Sequence, residues 1–302
     1  MLIEAFIDYL RYERALSQRT VEEYRSDLKA FETFFKSLDS DLTWNSVDTD
    51  VAREWVVDMM ERGNKASSVQ RRLSALRTFY RYLMKRSLVT HDPVRNLVSP
   101  KKERPLPAFI REEEMQRLLD QEGMFADTFE GRRDRLIIEM FYETGLRLSE
   151  LTGLDLEDLD MEAQAIRVIG KGNKQRIVPF GNRLLHIINI YLGERNARIL
   201  EGRTAAVFVT KKGERITGAQ VRVMVKAKLG LVTMQRKRSP HVLRHTFATT
   251  MLNHAADLQT VKELLGHERL QTTEVYTHTT FEELKQVYAK AHPRAAGTDK
   301  DN

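Results

Sequence analysis

A mainly α fold with a small β-sheet, divided into two domains, is what this sequence predicts, on three observations. Apolar residues recur at three- and four-residue steps through most of the chain, the pattern of helices that bury one side. Only three short stretches, AIRVI (165–169), RIVPF (176–180) and AAVFVT (205–210), read as strands. Between two helical regions lies SPKKERPLP (99–107), with three prolines and four charges. Proline has no amide hydrogen to donate and pushes its predecessor toward extended geometry, so this stretch reads as a linker. The expected boundaries are a helical domain at 1–98, the linker at 99–107, a second domain at 108–293 and a small polar tail at 294–302.

Each domain is long enough in a chain of 302 residues to bury its own core. No apolar run approaches the roughly 20 residues that cross a bilayer, and MLIEAFIDYLRYER lacks a signal-peptide layout. Cysteine is absent, which excludes disulfides, a thiol nucleophile and cysteine-ligated zinc. The chain reads as cytoplasmic, with no membrane partner. Its net charge of +6 is compatible with solubility alone, so the distribution of charge carries more than the total.

In the first domain, Leu2, Phe6 and Tyr9 predict a helix over Leu2–Arg14. Val21, Tyr24, Leu28, Phe31 and Phe35 predict one over Thr20–Ser37, with Ser17 to Thr20 as its start. A third helix is expected over Asp50–Arg62, ending at Gly63-Asn64. The fourth, Ser67–Lys85, has Val69, Leu73, Leu76, Tyr80 and Leu83 on one stripe. From Arg62 to His91 there is no acidic residue, and the cations include Arg71, Arg72, Arg77 and Arg81. A solvated helix face usually alternates signs, whereas an unopposed basic face suits a polyanion. Those four arginines are therefore candidate DNA contacts, and an ordinary solvated face is the alternative.

In the second domain helices are expected at 111–121, 132–143, 181–200, 217–228, 241–254, 257–265 and 280–290. The turn GKGNKQ joins the first two strands as a hairpin or slightly longer loop. Lys171, Lys174 and Arg176 cluster there, as solubilising turn residues or as groups reaching a nucleic-acid groove. In TGLRLSEL (144–151) a helix ends at Gly145, so Arg147 lies at a tight junction between helices, structural or functional. In HVLRHTFATTML, Leu243, Phe247 and Met251 face a core while His241 and Arg244 share another face. Like charges on adjacent turns are mildly destabilising unless an anion bridges them. His-x-x-Arg-His lacks the glutamate of the zinc motif, so no metal site is expected; His245 reads as a supporting residue. His267 follows Gly266 at a helix end, and Tyr276 has rivals in Tyr191 and Tyr288.

Together these supply two arginines, a lysine, two histidines and a tyrosine, the inventory that attack on a phosphodiester needs. Guanidiniums grip non-bridging oxygens with a charge that never titrates. Histidine can manage a proton, lysine can donate one to a leaving oxygen, and tyrosine can be a covalent nucleophile. Permanent cations stabilise developing charge, so no cofactor is required.

TGLRLSEL, GKGNKQR, HVLRHTFAT, LLGH and the tyrosine of TTEVYTH match, in order and spacing, the motifs of the tyrosine recombinases, which this sequence resembles over nearly its whole length. Within them it is similar to the Xer group, with a XerC-like ending, VYAKAHPRA. The resemblance implies a SAM-like core-binding first domain and a catalytic second domain, closing as a C-shaped clamp on DNA. It assigns Tyr276 as nucleophile, Arg147 and Arg244 as the phosphate clamp, Lys171 as proton donor to the leaving 5′-oxygen, and His241 and His267 as phosphate and proton-transfer partners. It implies a site-specific DNA recombinase working through a 3′-phosphotyrosyl link and a Holliday junction, and resolving chromosome or plasmid dimers. Implied partners are double-stranded DNA with inverted half-sites, a homo- or hetero-tetramer with a second Xer-type recombinase, and a DNA translocase. Alternatives of the same chemistry are a mobile-element integrase and a type IB topoisomerase-like nicking-closing enzyme. The apolar face of the last helix, Phe281, Leu284, Val287, Tyr288 and Ala291, is expected to dock into a neighbouring protomer or to pack on its own chain.

Overall fold

The computed structural model describes residues 1–101, 108–170, 175–199, 204–266 and 278–295. The chain divides into two compact units, Met1–Pro105 and Leu106–Asn302. Among the described residues no helix is long and apolar enough to cross a membrane.

The first unit contains α1 (Leu2–Asp8), continued by a π-helical turn over Tyr9–Glu13, then α2 (Gln18–Leu38), α3 (Thr49–Glu61) and α4 (Ala66–Lys85). Ser17 caps α2 through the Thr20 amide, and Asp48 caps α3 through the amides of Asp50 and Val51. Such caps satisfy amides that have no partner inside the helix. Phe6, Phe31, Phe35, Trp44, Phe79 and Tyr80 are buried in one aromatic core. The predicted stripe Val69, Leu73, Leu76, Tyr80 and Leu83 of α4 lies wholly within it.

The second unit contains α5 (Glu112–Asp120), α6 (Phe129–Thr144), α7 (Leu148–Gly153), a three-stranded antiparallel sheet, α8 (Asn182–Arg198), α9 (Gly218–Gly230), α10 (Pro240–Asn253), α11 (Leu258–Leu265) and α12 (His278–Ala291). Helix α6 is buried on every side from Leu136 to Thr144 and forms the spine against which α8 and α10 pack. The sheet order is β1 (Leu159–Asp160), β2 (Ala165–Ile169), β3 (Gln175–Pro179), with Ile166 opposite Val178 and Ile169 opposite Gln175.

The expected third strand at 205–210 does not form. Ala206, Val207, Phe208 and Val209 are buried, but their backbone bonds go to loops and arginines. Val207 donates to the Leu154 carbonyl, while the Ala206 and Val209 carbonyls accept from Arg195 and Arg133. Among the described residues, the pairing of this run is limited to two isolated antiparallel bridges, Ala206 with Asp155 and Val209 with Arg215, too short to make a strand.

The last helix packs on its own chain. Leu284, Tyr288 and Ala291 join Phe247, Met251, Val261, Leu264 and Leu265 in a second core. Behind α12, Arg294 reaches Glu139 on α6 at 3.1 Å and Asp120 on α5 at 2.8 Å. Most of this apolar face and this arginine find partners within the chain, the packing on its own chain that was the alternative expectation.

Candidate active site

Four short pieces of backbone converge on one place: the α6–α7 junction, strand β3, the start of α10 and the C-terminal end of α11. At the junction, Gly145 closes α6 with φ of +60°. A Cβ there would come within 2.5 Å of the Phe247 ring and 2.9 Å of Leu265, so both the conformation and the space require glycine. Leu146 is then buried and Arg147 becomes the N-cap of α7. Glu150, three residues on, turns back and accepts the Arg147 amide at 2.7 Å, as a capping glutamate does.

Helix α10 starts with Pro240 at its first position, where a missing amide hydrogen costs nothing. Leu243, Phe247 and Met251 are fully buried, as their spacing predicts. His241 is exposed and Arg244 is buried at 7 % exposure. Helix α11 ends at Gly266 with φ of +67°, and His267 follows it in sequence.

The guanidiniums meet at that helix end. Arg176 donates Nε to the Leu264 carbonyl at 3.1 Å. Arg244 donates to the Leu265 carbonyl at 2.5 Å and to the Gly145 carbonyl. Arg147 donates to the Gly266 carbonyl at 2.9 Å. Three consecutive carbonyls that a helix terminus leaves without internal partners are thus each capped by a different arginine. Among the described residues, the single carboxylate bonded to them is Glu150. It accepts Arg147 Nη1 at 2.7 Å on one oxygen, and Arg176 at 2.7 and 2.9 Å across both.

The protonation states follow. Burial pushes the Glu150 carboxyl up, but hydrogen bonds and charge from Arg176, with the Arg147 amide and guanidinium, outweigh it and hold it at about 2. Arg244 is lowered to about 10 by burial and by the neighbouring cations Arg147 and Arg176, and so stays charged at neutral pH. Burial, His245 and Arg244 lower His241 below its ordinary value of 6.5. Its Nε2 lies 3.1 Å from that of His245, so one ring must accept where the other donates. His245, expected to support His241, is its direct neighbour.

Arg147, His241 and Arg244 are therefore gathered by the fold, while Lys171, Lys174, His267 and Tyr276 lie outside the described residues. Tyr191 and Tyr288, the rival tyrosines, are buried. Tyr191 Oη donates to the Val207 carbonyl at 3.1 Å, and Tyr288 Oη lies 3.4 Å from Glu143.

Two of the expected DNA contacts, Arg176 and Arg77, are engaged within the chain. Arg176 is 6 % exposed, with its donors turned inward onto Glu150 and Leu264, so it has no face to offer a phosphate. Arg77 donates to the carbonyls of Val94 and Leu97 and to Ser99 Oγ, tying α4 to the segment behind it. Arg71 grips the buried Asp27 with both terminal nitrogens, though its side chain is 43 % exposed. Arg72 approaches the same carboxylate at 3.6 Å. Arg81 is exposed and has no ion-pair or hydrogen-bond partner among the described residues. The functional residue that sequence reasoning missed is Glu150; its signal was the three-residue spacing from Arg147 at a helix start.

Two family models match the chain: Phage integrase family over residues 108–283, and Phage integrase, N-terminal SAM-like domain, over residues 3–87. The chain belongs to the phage integrase family. A tyrosine recombinase XerC from Pelotomaculum thermopropionicum is 40% identical over 306 residues, covering 98% of this chain and 99% of that one. Another, from Azotobacter vinelandii, is 42% identical over 294 residues, covering 97% and 96%. Among solved structures, XerH site-specific recombinase bound to palindromic difH substrate in a post-cleavage complex has a TM-score of 0.71 and 22% identity, covering 95% of this chain and 94% of that one. The phage-integrase chain is thus a tyrosine-type site-specific recombinase, of the Xer group and XerC-like.

Proposed function

We propose that this recombinase cleaves DNA with Tyr276, and that Arg147 and Arg244 hold the scissile phosphate while it does so. The observation that carries the reading is the convergence of Arg147 and Arg244 on adjacent carbonyls, Gly266 and Leu265, immediately before His267. A phosphate entering there meets two guanidiniums whose planes are already set, and fixed cations stabilise charge without reorganising.

In this reading the Tyr276 oxygen attacks phosphorus and the 5′-oxygen leaves, taking its proton from Lys171. The 3′-phosphotyrosyl bond that forms keeps a phenolate leaving group, with a pKa of about 10, far better than an alkoxide. A 5′-hydroxyl from another strand can therefore reverse the step without external energy. His241, lowered below 6.5, is neutral at pH 7 and free to accept a proton from the attacking phenol or to donate to the phosphate. His267 would hydrogen-bond the same phosphate.

Two such exchanges through a Holliday junction would resolve chromosome or plasmid dimers in the cytoplasm. The partners are DNA with inverted half-sites, a second Xer-type recombinase in a tetramer, and a DNA translocase. Phosphate contacts would dominate affinity, which should fall steeply with salt. Arg81 and Lys174 are the proposed contacts, with Arg71 and Arg72 contributing what Asp27 leaves exposed.

The test uses a nicked duplex carrying the cognate site, on which loss of the cut strand traps the covalent complex. Wild-type protein forms the adduct and, on intact duplexes, Holliday junctions. Tyr276→Phe binds equally well and forms neither. Adduct formation by Tyr276→Phe would reassign the nucleophile, and adducts without any junction would favour a nicking-closing enzyme.

A further inference from the structure

We propose that Arg176 is a positioning residue for the cleavage step: it holds the Glu150 carboxylate and the end of α11, leaving Arg147 the charge and the aim that a scissile phosphate requires. The inference rests on the reading of Arg147 as a phosphate ligand.

The three guanidiniums differ in access. The Arg147 side chain is 37% exposed, Arg244 is at 7 % and Arg176 at 6 %. Only Arg147 opens substantially toward solvent. Yet Arg147 adjoins a carboxylate three residues away on the same helix turn, and an isolated Arg–Glu pair would neutralise it. Arg176 prevents this. Its Nη1 and Nη2 take both Glu150 oxygens at 2.7 and 2.9 Å, the fork geometry in which arginine binds a carboxylate most strongly. Arg147 Nη1 then reaches only one of those oxygens, which it shares.

Charge counting gives the same result. Among the described residues, Arg147, Arg176 and Arg244 set three positive charges against the single negative charge of Glu150, a surplus of two. A phosphodiester brings one negative charge and gains more at the pentavalent transition state. Without Arg176 the surplus falls to one, and Glu150 turns to Arg147 as its remaining guanidinium partner.

Arg176 also ties the strand to the helix end. Its Nε caps Leu264, the first of the three carbonyls whose successors are capped by Arg244 and Arg147. A Cβ built on Gly266 would meet Arg176 Cδ at 3.1 Å and Nε at 3.3 Å, so the guanidinium stem packs against the turn that leads into His267. β3 sits between the hairpin carrying Lys171 in sequence and this turn, and Arg176 joins the two.

A double-mutant cycle on the full-length protein tests the proposal, reading covalent capture on the nicked duplex at saturating and at limiting DNA. Arg176→Met is expected to slow capture about 100-fold at saturating DNA, in the range for loss of one preorganised donor. DNA affinity and its salt dependence should stay within about two-fold of wild type, because a buried group contacts no phosphate. Arg147→Ala alone should slow capture at least as much, and the double variant no further, since residues acting through one another are not additive. Arg176→Lys keeps the charge but loses the fork; an intermediate rate is expected, and it replaces the methionine variant in the cycle if that one melts below the assay temperature. Losses that multiply in the double variant overturn the proposal, as does a weakened, less salt-sensitive complex that cleaves at the wild-type rate once bound. If Arg147→Ala cleaves normally, the phosphate-ligand reading fails; if it is slow and Arg176→Met is normal, only the role of Arg176 falls.

Discussion

Glu150 and Glu143 are buried carboxylates on consecutive helices of the same unit, and they are in opposite protonation states. Glu150 is bonded to two guanidiniums and a backbone amide and stays ionised, at about 2. Glu143 is fully buried beside a second buried carboxylate, Glu139. Arg294 lies 3.8 Å from Glu143 and 3.1 Å from Glu139. Burial and the Glu139 charge, opposed by Arg294, push Glu143 up to about 8. Burial is common to both residues; the number of donors decides the outcome. Among the described residues, the candidate active site has guanidiniums in excess of carboxylates. The socket under the C-terminal segment is short of cations, and Arg294 is what holds it together.

The largest effect that would break this contrast is removal of that cation. Arg294→Met leaves two buried carboxylates with only Arg135 and Arg183 nearby, at 3.8 and 3.9 Å from Glu139. Breaking such a pair from one side costs about 3 kcal/mol or more, to be read as a lower urea midpoint. Unchanged unfolding would mean that the segment behind α12 is not anchored there.

A pH titration of stability sharpens the contrast, because the two glutamates contribute with opposite sign. Glu150, lowered from 4.5, stabilises fully above pH 4.5 and loses that contribution as the pH falls through about 2. Glu143, raised from 4.5, stabilises fully below pH 4.5 and loses it as the pH rises through about 8. His292, fully buried against Tyr142 and lowered by burial to about 3, acts only below its ordinary value of 6.5. Between pH 6.5 and 8 Glu143 therefore dominates among the three, and Glu143→Gln should shrink the fall in stability across that window. Glu150→Gln should leave the window untouched.

The smallest effects extend donor counting to α4. Arg77→Ala removes a donor to three acceptors, and should lower stability by about 1 kcal/mol with little change in the salt dependence of DNA binding. Arg81→Ala should do the reverse: an unchanged melting temperature, and a salt slope reduced by about one.

Much of this was legible along the chain. Helix periods, the Gly145 and Gly266 helix ends and the hairpin strands depend on residues within a few positions of one another. Arg147, His241 and Arg244 fall where their motifs place them, at a helix cap and on the first turns of α10, because that geometry is local. The basic run from Arg62 to His91 lacks acids in sequence, but Asp27 of α2 supplies one in space to Arg71, 44 residues away. The apolar run at 205–210 misled because its neighbours, rather than its alternation, decide whether it pairs as a strand.

The sequence by itself determined the mainly helical fold class with its small sheet, and the family. Only the tertiary structure decided which cations are available. The partners that settle this lie far apart in sequence, Glu150 being 26 residues and Leu264 88 residues from Arg176. Local periodicity carries no information about such pairs, and a guanidinium becomes a structural brace or a phosphate ligand according to the acceptors that folding brings beside it.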